Sequence, residues 1–158
     1  METLIDIKLA TQEDLPNLQK MLNSLLNFER EHFDATLRSD WAYSDEAREK
    51  LSKTIERDIV LIAYHQNSPA GYLIGRISSP TPNGARSITQ AQVDNIYVEA
   101  DCRRRHIGEA LFGFFEGLCR ERNVKRLSVT VLAKNEGAIA FYEEMNFLPR
   151  SIIYTREL

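Results

Sequence analysis

The chain has 158 residues, a formal net charge of −3, 43% hydrophobic and 27% charged side chains. That size and balance fit residues 1–158 folding as a single domain with a buried core. No apolar run reaches the ~20 residues of a membrane-spanning helix, and a net acidic chain argues against general nucleic-acid binding, which needs a basic face.

The chain opens with "LIDIKLA", which puts Ile5, Ile7 and Leu9 on one face and reads as a strand. Thr11 or Asp14 can cap the next element, with Pro16 in its first turn, where a missing N–H costs little. Leu15, Leu18, Met21, Leu22, Leu25 and Leu26 then repeat at helical spacing. "SDEAREKLSKTIER" is a second, more polar helix with Ser44 or Asp45 as its cap. "DIVLIAYH", "QNSP" and "AGYLIGRIS" read as strand, turn and returning strand. "SPTPNGARS", residues 79–87, is the most turn-rich stretch and is expected to be an exposed loop.

In "QAQVDNIYV" strand alternation places Gln92, Asp94, Ile96 and Val98 on one face. Ile107, Ala110, Leu111, Phe114, Phe115 and Leu118 form a helical stripe. "KRLSVTVLA" is a strand with apolar Leu127, Val129 and Val131, "NEGAIAFYEEMN" a short helix, and "FLPRSIIYTREL" a closing strand. The order βααββ, then βαβαβ, predicts an α+β (mixed α/β) fold. Its sheet should be part parallel and part antiparallel, with helices on both faces.

Three arginines run into a histidine and a glycine at Arg103-Arg104-Arg105-His106-Ile107-Gly108-Glu109-Ala110. A helix starting near His106 presents unpaired N–H groups and the positive end of its dipole. Gly108 and the small Ala110 allow close approach to the backbone, and the arginines add bidentate donors. From the residues alone, a diphosphate cradle and a solvated basic turn fit about equally.

"VEADCRRRHIGEAL" resembles motif A of the GNAT N-acetyltransferase superfamily, Gln/Arg-x-x-Gly-x-Gly/Ala after a strand, here Arg105 to Ala110. "NEGAIAFYEEMNF" resembles its motif B, with Asn135, Ala138, Phe141 and Tyr142 at the family spacing. "IKLATQEDLPNLQKML" is similar to the family's first strand and helix. The resemblance implies a central mixed sheet of about 6–7 strands with splayed parallel strands forming the cofactor cleft. It implies acetyl-CoA as co-substrate, its pyrophosphate on the N–H groups of residues 103–109 and its pantetheine beside Ile96, Tyr97 and Val98. Two departures stand out: most members have glycine at His106, which only a positive φ would exclude, and the "GF" after motif B is Asn146-Phe147 here.

The same resemblance implies an N-acetyltransferase acting by direct attack of a primary amine on the thioester, with Tyr142 as general acid. A carboxylate with water is the expected base, because an alkyl amine of pKa about 10.4 is mostly protonated at neutral pH. Many members carry glutamate at the position of Gln92, and glutamine cannot take a proton. Asp94, two residues on, matches the carboxylate of the "LEDFFV"-like strand of spermidine/spermine acetyltransferases. An inward acid is also unfavourable unless used.

The stretch "LLNFEREHFDATLRSDWAY" offers Glu29, Glu31, Asp34, Trp41 and Tyr43 for a cationic acceptor, through ion pairing and cation–π contact. Glu29 ranks first, as it falls where polyamine-type members have "KYE", followed by Trp41 and Tyr43. Glu31 and Asp34 fit a solvated helix face as well.

The expected partner is a small-molecule or peptide amine, and the resemblance allows a second copy as a homodimer, since family members often dimerise. No nucleic acid, membrane or metal is expected: His32 and His65 are isolated, and Cys102 and Cys119 show no metal spacing or disulfide framework. Cys102 beside arginines invites a lowered pKa, but a plain loop residue is the expected outcome. An acidic N-terminal stretch and unpaired cysteines suggest a reduced, cytoplasmic protein. The rival reading is a non-catalytic acyl-CoA-binding sensor. A P-loop enzyme lacks its Gly-Lys-Ser/Thr ending here.

Overall fold

A computed structural model describes residues 4–78 and 88–158. The turn-rich stretch at 79–87 lies outside the described residues. Strand β1 (Ile5–Leu9) leads into helix α1 (Leu15–His32) and, through a short 3-10 turn at Trp41–Tyr43, helix α2 (Asp45–Arg57). Strands β2 (Ile59–His65), β3 (Ser68–Ser78) and β4 (Gln90–Val98) follow, then helix α3 (Ile107–Glu121), strand β5 (Arg126–Val129) and helix α4 (Glu136–Glu144).

The strands form one sheet in the order β1-β2-β3-β4-β5, antiparallel up to β4 and parallel between β4 and β5. The described residues thus give five strands rather than six or seven, because 148–158 join no strand. Strand-forming residues there bond to no neighbouring strand, and a strand exists only by pairing.

Local chemistry explains the boundaries. Asp14, 4% exposed, accepts the Thr11 N–H at 2.8 Å and the Tyr64 hydroxyl at 2.7 Å, tying the start of α1 to β2. Burial pushes its carboxyl up, but Thr11, Tyr64 and Lys8 outweigh that and hold it below its ordinary value. The Ser44 hydroxyl accepts the Ala47 N–H at 3.1 Å and caps α2. Gln66 and Asn67 both take positive φ, 51° and 62°, as a two-residue hairpin turn between β2 and β3 requires.

Alternation along β2 sorts the core into two layers. Leu61 and Ala63 face α3 and Tyr142, packing with Leu73, Val93, Leu111, Phe112 and Phe115. Val60 and Ile62 face α1 and α2, with Leu18, Met21, Leu51, Tyr72, Ile74 and Tyr97. Helices therefore cover both faces, as the order of elements demanded.

β4 breaks alternation at one residue. Gly75 pairs with Val93 and Ile74 with Asn95, so Asp94 is an extra residue with no partner on β3, a β-bulge. Upstream of it Ala91 and Val93 face α3, and downstream Ile96 and Val98 do. The expectation that Gln92, Asp94, Ile96 and Val98 share a face is therefore corrected: the bulge shifts the period. β3 meets β4 closely here: a Cβ on Gly71 would lie 2.6 Å from the Tyr97 carbonyl oxygen. Gly71→Ala should cost about 2 kcal/mol, read as a lowered urea midpoint at unchanged slope.

Candidate active site

β5 pairs with β4 only from Gln90 to Val93, and its partners end at Val129. Beyond that point the two parallel strands separate, leaving the β5-facing edge of Asp94 to Val98 without a strand partner. A cavity of about 110 Å³ fills the gap, lined by Leu25 and Glu29 of α1, Asp94, Asn95 and Ile96 of β4, Val129 to Leu132, and Asn135, Ala138 and Tyr142 at α4. Each water occupies about 30 Å³ of liquid, so the space suits a few small groups.

Asp94 lines this cavity from an exposed position on the bulge, its side chain 29% exposed. Burial raises its pKa, Arg76 on β3, 3.3 Å away, opposes that, Asp58 adds to it and Lys50 opposes it. Glu29 faces the same space, its carboxyl also raised by burial and then by the nearby charge of Asp34. Tyr142 anchors its ring among Phe141, Phe147 and Phe112, at 5.2, 5.6 and 6.4 Å between centroids. Burial pushes its phenol up to about 12. Asn135 caps α4 by accepting the Ala138 N–H at 3.0 Å, so its side-chain oxygen already has a partner.

The basic loop lies between β4 and α3. The first-turn N–H groups of Ile107, Gly108 and Glu109 have no helical carbonyl to bond; Ala110 is the first that does, 2.9 Å from the His106 carbonyl. A Cβ on Gly108 would meet only ordinary contacts, Phe141 at 3.4 Å and Val98 at 3.8 Å. The protein's own packing does not demand glycine there, and its bare backbone keeps the helix end open.

The arginine side chains divide differently from expectation. Arg103 Nε donates to the Val98 carbonyl at 3.2 Å, and its guanidinium lies 5.9 Å from the Phe28 ring. Arg105 reaches back to the buried His65, 3.5 Å away. These two brace the loop against α1 and β2, so the backbone carries more of any anion contact than three arginine forks would.

His106 has φ 59° and Arg104 φ 61°, both left-handed. The positive φ thus occurs at the very position where the family usually has glycine. Histidine is among the residues enriched there, at about 1–2 kcal/mol of strain, so it is not excluded. Its ring bonds Glu109 at 2.8 Å. Asn146 caps the end of α4 with φ 66°, as its substitution for glycine allows.

Trp41 and Tyr43 lie away from the cavity. Trp41 donates to Glu46 at 3.2 Å and stacks under Lys50, so it organises the start of α2; Tyr43 is exposed. Tyr97 turns into the α1-side core and donates to Glu99 at 3.2 Å. Cys102 has a raised pKa, through burial and then the hydrogen bond and charge of Asp101, the opposite of an activated thiol. Among the described residues no cluster of three His, Cys, Asp or Glu could hold a metal ion, and no helix is long and apolar enough to cross a membrane. Leu25 and Asn95 were missed as lining residues, although Leu25 sits one helical turn before Glu29 and Asn95 follows Asp94.

A family model for the acetyltransferase (GNAT) family matches residues 19–147, spanning both the basic loop and α4. The chain belongs to that family. Among curated proteins it is 34% identical over 62 residues to a putative [ribosomal protein bS18]-alanine N-acetyltransferase of Bacillus subtilis, a match covering 39% of this chain and 41% of that protein.

Solved structures share the fold at lower identity. A tetramutant Bacillus halodurans protein superposes with TM-score 0.88 at 15% identity, covering 97% of this chain and 99% of the other. The aminoglycoside N-acetyltransferase AAC(6')-Iy in complex with CoA gives 0.74 at 15%, covering 99% and 97%. The ribosomal-protein-alanine N-acetyltransferase of Brucella melitensis biovar Abortus 2308 gives 0.71 at 20%, covering 98% and 99%.

Proposed function

We propose that this GNAT chain transfers an acetyl group from acetyl-CoA to a cationic primary amine. The observation that carries the reading is the cavity at the parting of β4 and β5, where Asp94, Glu29 and Tyr142 face one space. The open helix end at Ile107, Gly108 and Glu109, with Arg104, His106 and Ala110 around it, suits a diphosphate. On the β4 edge beyond the last β5 partner, Ile96 and Val98 turn backbone groups toward the cleft for a pantetheine amide, with the Val98 carbonyl shared with Arg103 and Tyr97 bonding toward β3. Asn135 supports the site as the cap that fixes where α4 begins.

Acetyl-CoA, when bound, supplies the activated acyl carbon and a thiolate leaving group. Asp94 takes the proton that the ammonium must lose before its nitrogen can attack, directly or through one water. As the new C–N bond forms and the C–S bond breaks, the Tyr142 hydroxyl gives its hydrogen bond, then its proton, to the sulfur, and the proton shed by the acylated nitrogen restores the phenol. Unpaired N–H groups at the β4 edge face the developing oxyanion. Two carboxylates on one cavity favour an acceptor with more than one positive charge, with Leu25 contacting its apolar stem.

The test is thiol release from acetyl-CoA across a panel of diamines, aminoglycosides, amino acids and peptides, at neutral and mildly alkaline pH. Turnover with polycationic amines supports the reading. Tight coenzyme A binding with no turnover on any amine overturns it in favour of a sensor. Glu29→Gln should raise KM for a cationic amine about tenfold with kcat nearly unchanged, because it removes attraction felt equally before and during reaction. Neutral amines of similar size should be insensitive to the change.

A further inference from the structure

Tyr72 of β3 lies in the apolar layer beneath α1, with Leu18, Met21, Leu22 and Ile62, and is 1% exposed. Among the described residues its buried hydroxyl has no hydrogen-bond partner. Buried hydroxyls are nearly always bonded, and an unbonded one costs stability that phenylalanine in the same space would not. The neighbouring Tyr97 hydroxyl shows the usual outcome, donating to Glu99 at 3.2 Å.

The surroundings of Tyr72 lead to the candidate active site. It stands opposite Tyr97, and Asn95, two residues back along β4, shares that face and lines the cavity. Leu25 packs on the same layer and also lines the cavity, with Glu29 one helical turn further along α1. The hydroxyl therefore lies behind the wall that Glu29 and Asn95 form. Burial, then the charges of Glu29 and Tyr97, hold its phenol far above the ordinary tyrosine value, so it keeps its proton to donate. Glu29 has the complementary lack: burial and then Asp34 raise its carboxyl, and no hydrogen bond among the described residues lowers it.

We infer that Tyr72 is a positioning residue for the amine acceptor: when a cationic amine draws the Glu29 carboxylate, one carboxylate oxygen accepts from the Tyr72 hydroxyl and the other faces the amine. The inference rests on the reading that Glu29 receives the cationic acceptor. An ionised carboxylate only accepts hydrogen bonds, so a phenol donor favours the charged form of Glu29 where a cation must be held. The unmet hydroxyl costs stability in the free protein and adds affinity once the amine is bound.

With spermidine as the probe, calorimetry on the full chain should show that Tyr72→Phe weakens binding about tenfold, as expected for a hydrogen bond to a charged group. KM should rise by the same factor with kcat within about twofold. The melting temperature should be unchanged or higher, because the free protein loses no bond. In a Glu29→Gln background Tyr72→Phe should have no further effect on binding, since the carboxylate it serves is gone. Ile74→Val, a packing change in the same layer, should lower the melting temperature and leave binding alone. Undiminished binding in Tyr72→Phe overturns the inference, as does a loss that adds to that of Glu29→Gln. A lowered melting temperature in Tyr72→Phe overturns it too, because the hydroxyl is then already bonded in the free fold. Failure of the acceptor reading itself shows in the wild-type chain, which then binds no spermidine, and that result removes both.

Discussion

Replacing Tyr142 by phenylalanine should lower kcat by about 10²-fold while leaving coenzyme A affinity within about twofold, the signature of an interaction made only as the C–S bond breaks. The ring is fixed among Phe112, Phe141 and Phe147, so phenylalanine keeps the packing and deletes only the hydroxyl. At first sight a phenol near 12 is too weak an acid for a thiolate whose parent thiol has a pKa of about 8.5. The burial that raises the phenol also disfavours a thiolate held in the same cleft, which narrows the gap. The hydrogen bond, strongest when the sulfur carries charge, then supplies most of the effect.

The sign on pH follows. Raised to about 12, Tyr142 stays protonated through neutral and mildly alkaline pH, so it adds no alkaline limb to the rate below about pH 10. A wild-type profile that fell away by pH 9, and did so no longer in Tyr142→Phe, would contradict the assignment. Unchanged turnover in the variant would return Tyr142 to the commoner fate of a core aromatic.

The helices, the β2–β3 hairpin and the basic loop were legible because each rests on a local rule: 3.6-residue periodicity, a two-residue turn, a glycine at a helix start. Asp94 was found for its chemistry but misplaced in its register. A strict two-residue period cannot show a bulge, and the one local hint was the pair Asp94-Asn95, two residue types depleted from strand interiors. The arginines were read as a set because sequence shows charge and not reach. Whether a guanidinium turns to Val98, to His65 or to solvent depends on which carbonyl or ring the fold brings within a few ångströms. Trp41 shows the converse: an aromatic beside acids suits an amine pocket, and the fold used it to seat α2. The closing strand failed for a nonlocal reason, since propensity can make a segment willing to pair but cannot bring it to an edge.

Asp94→Asn should lower kcat/KM by about 10²–10³-fold at neutral pH and leave the melting temperature unchanged or higher. The first effect follows because an amide accepts no proton. The second follows from the raised pKa. A carboxyl raised by burial is one whose charged form the fold disfavours, so above both its folded and unfolded pKa the ionised group subtracts stability, and the loss shrinks as pH falls through the raised value. A structural aspartate would behave in the opposite way and lose stability on substitution. The acid limb of the wild-type kcat/KM profile should likewise be displaced upward from the ordinary aspartate value, since Asp94 must be ionised to act as base. Arg76, 3.3 Å away, opposes the burial effect. Arg76→Ala removes that opposition, so the limb should move to higher pH while the plateau, where Asp94 is fully ionised, stays nearly level. A limb that ignores Arg76 would mean that the titrating base is another group, with Glu29 next in line on the same cavity.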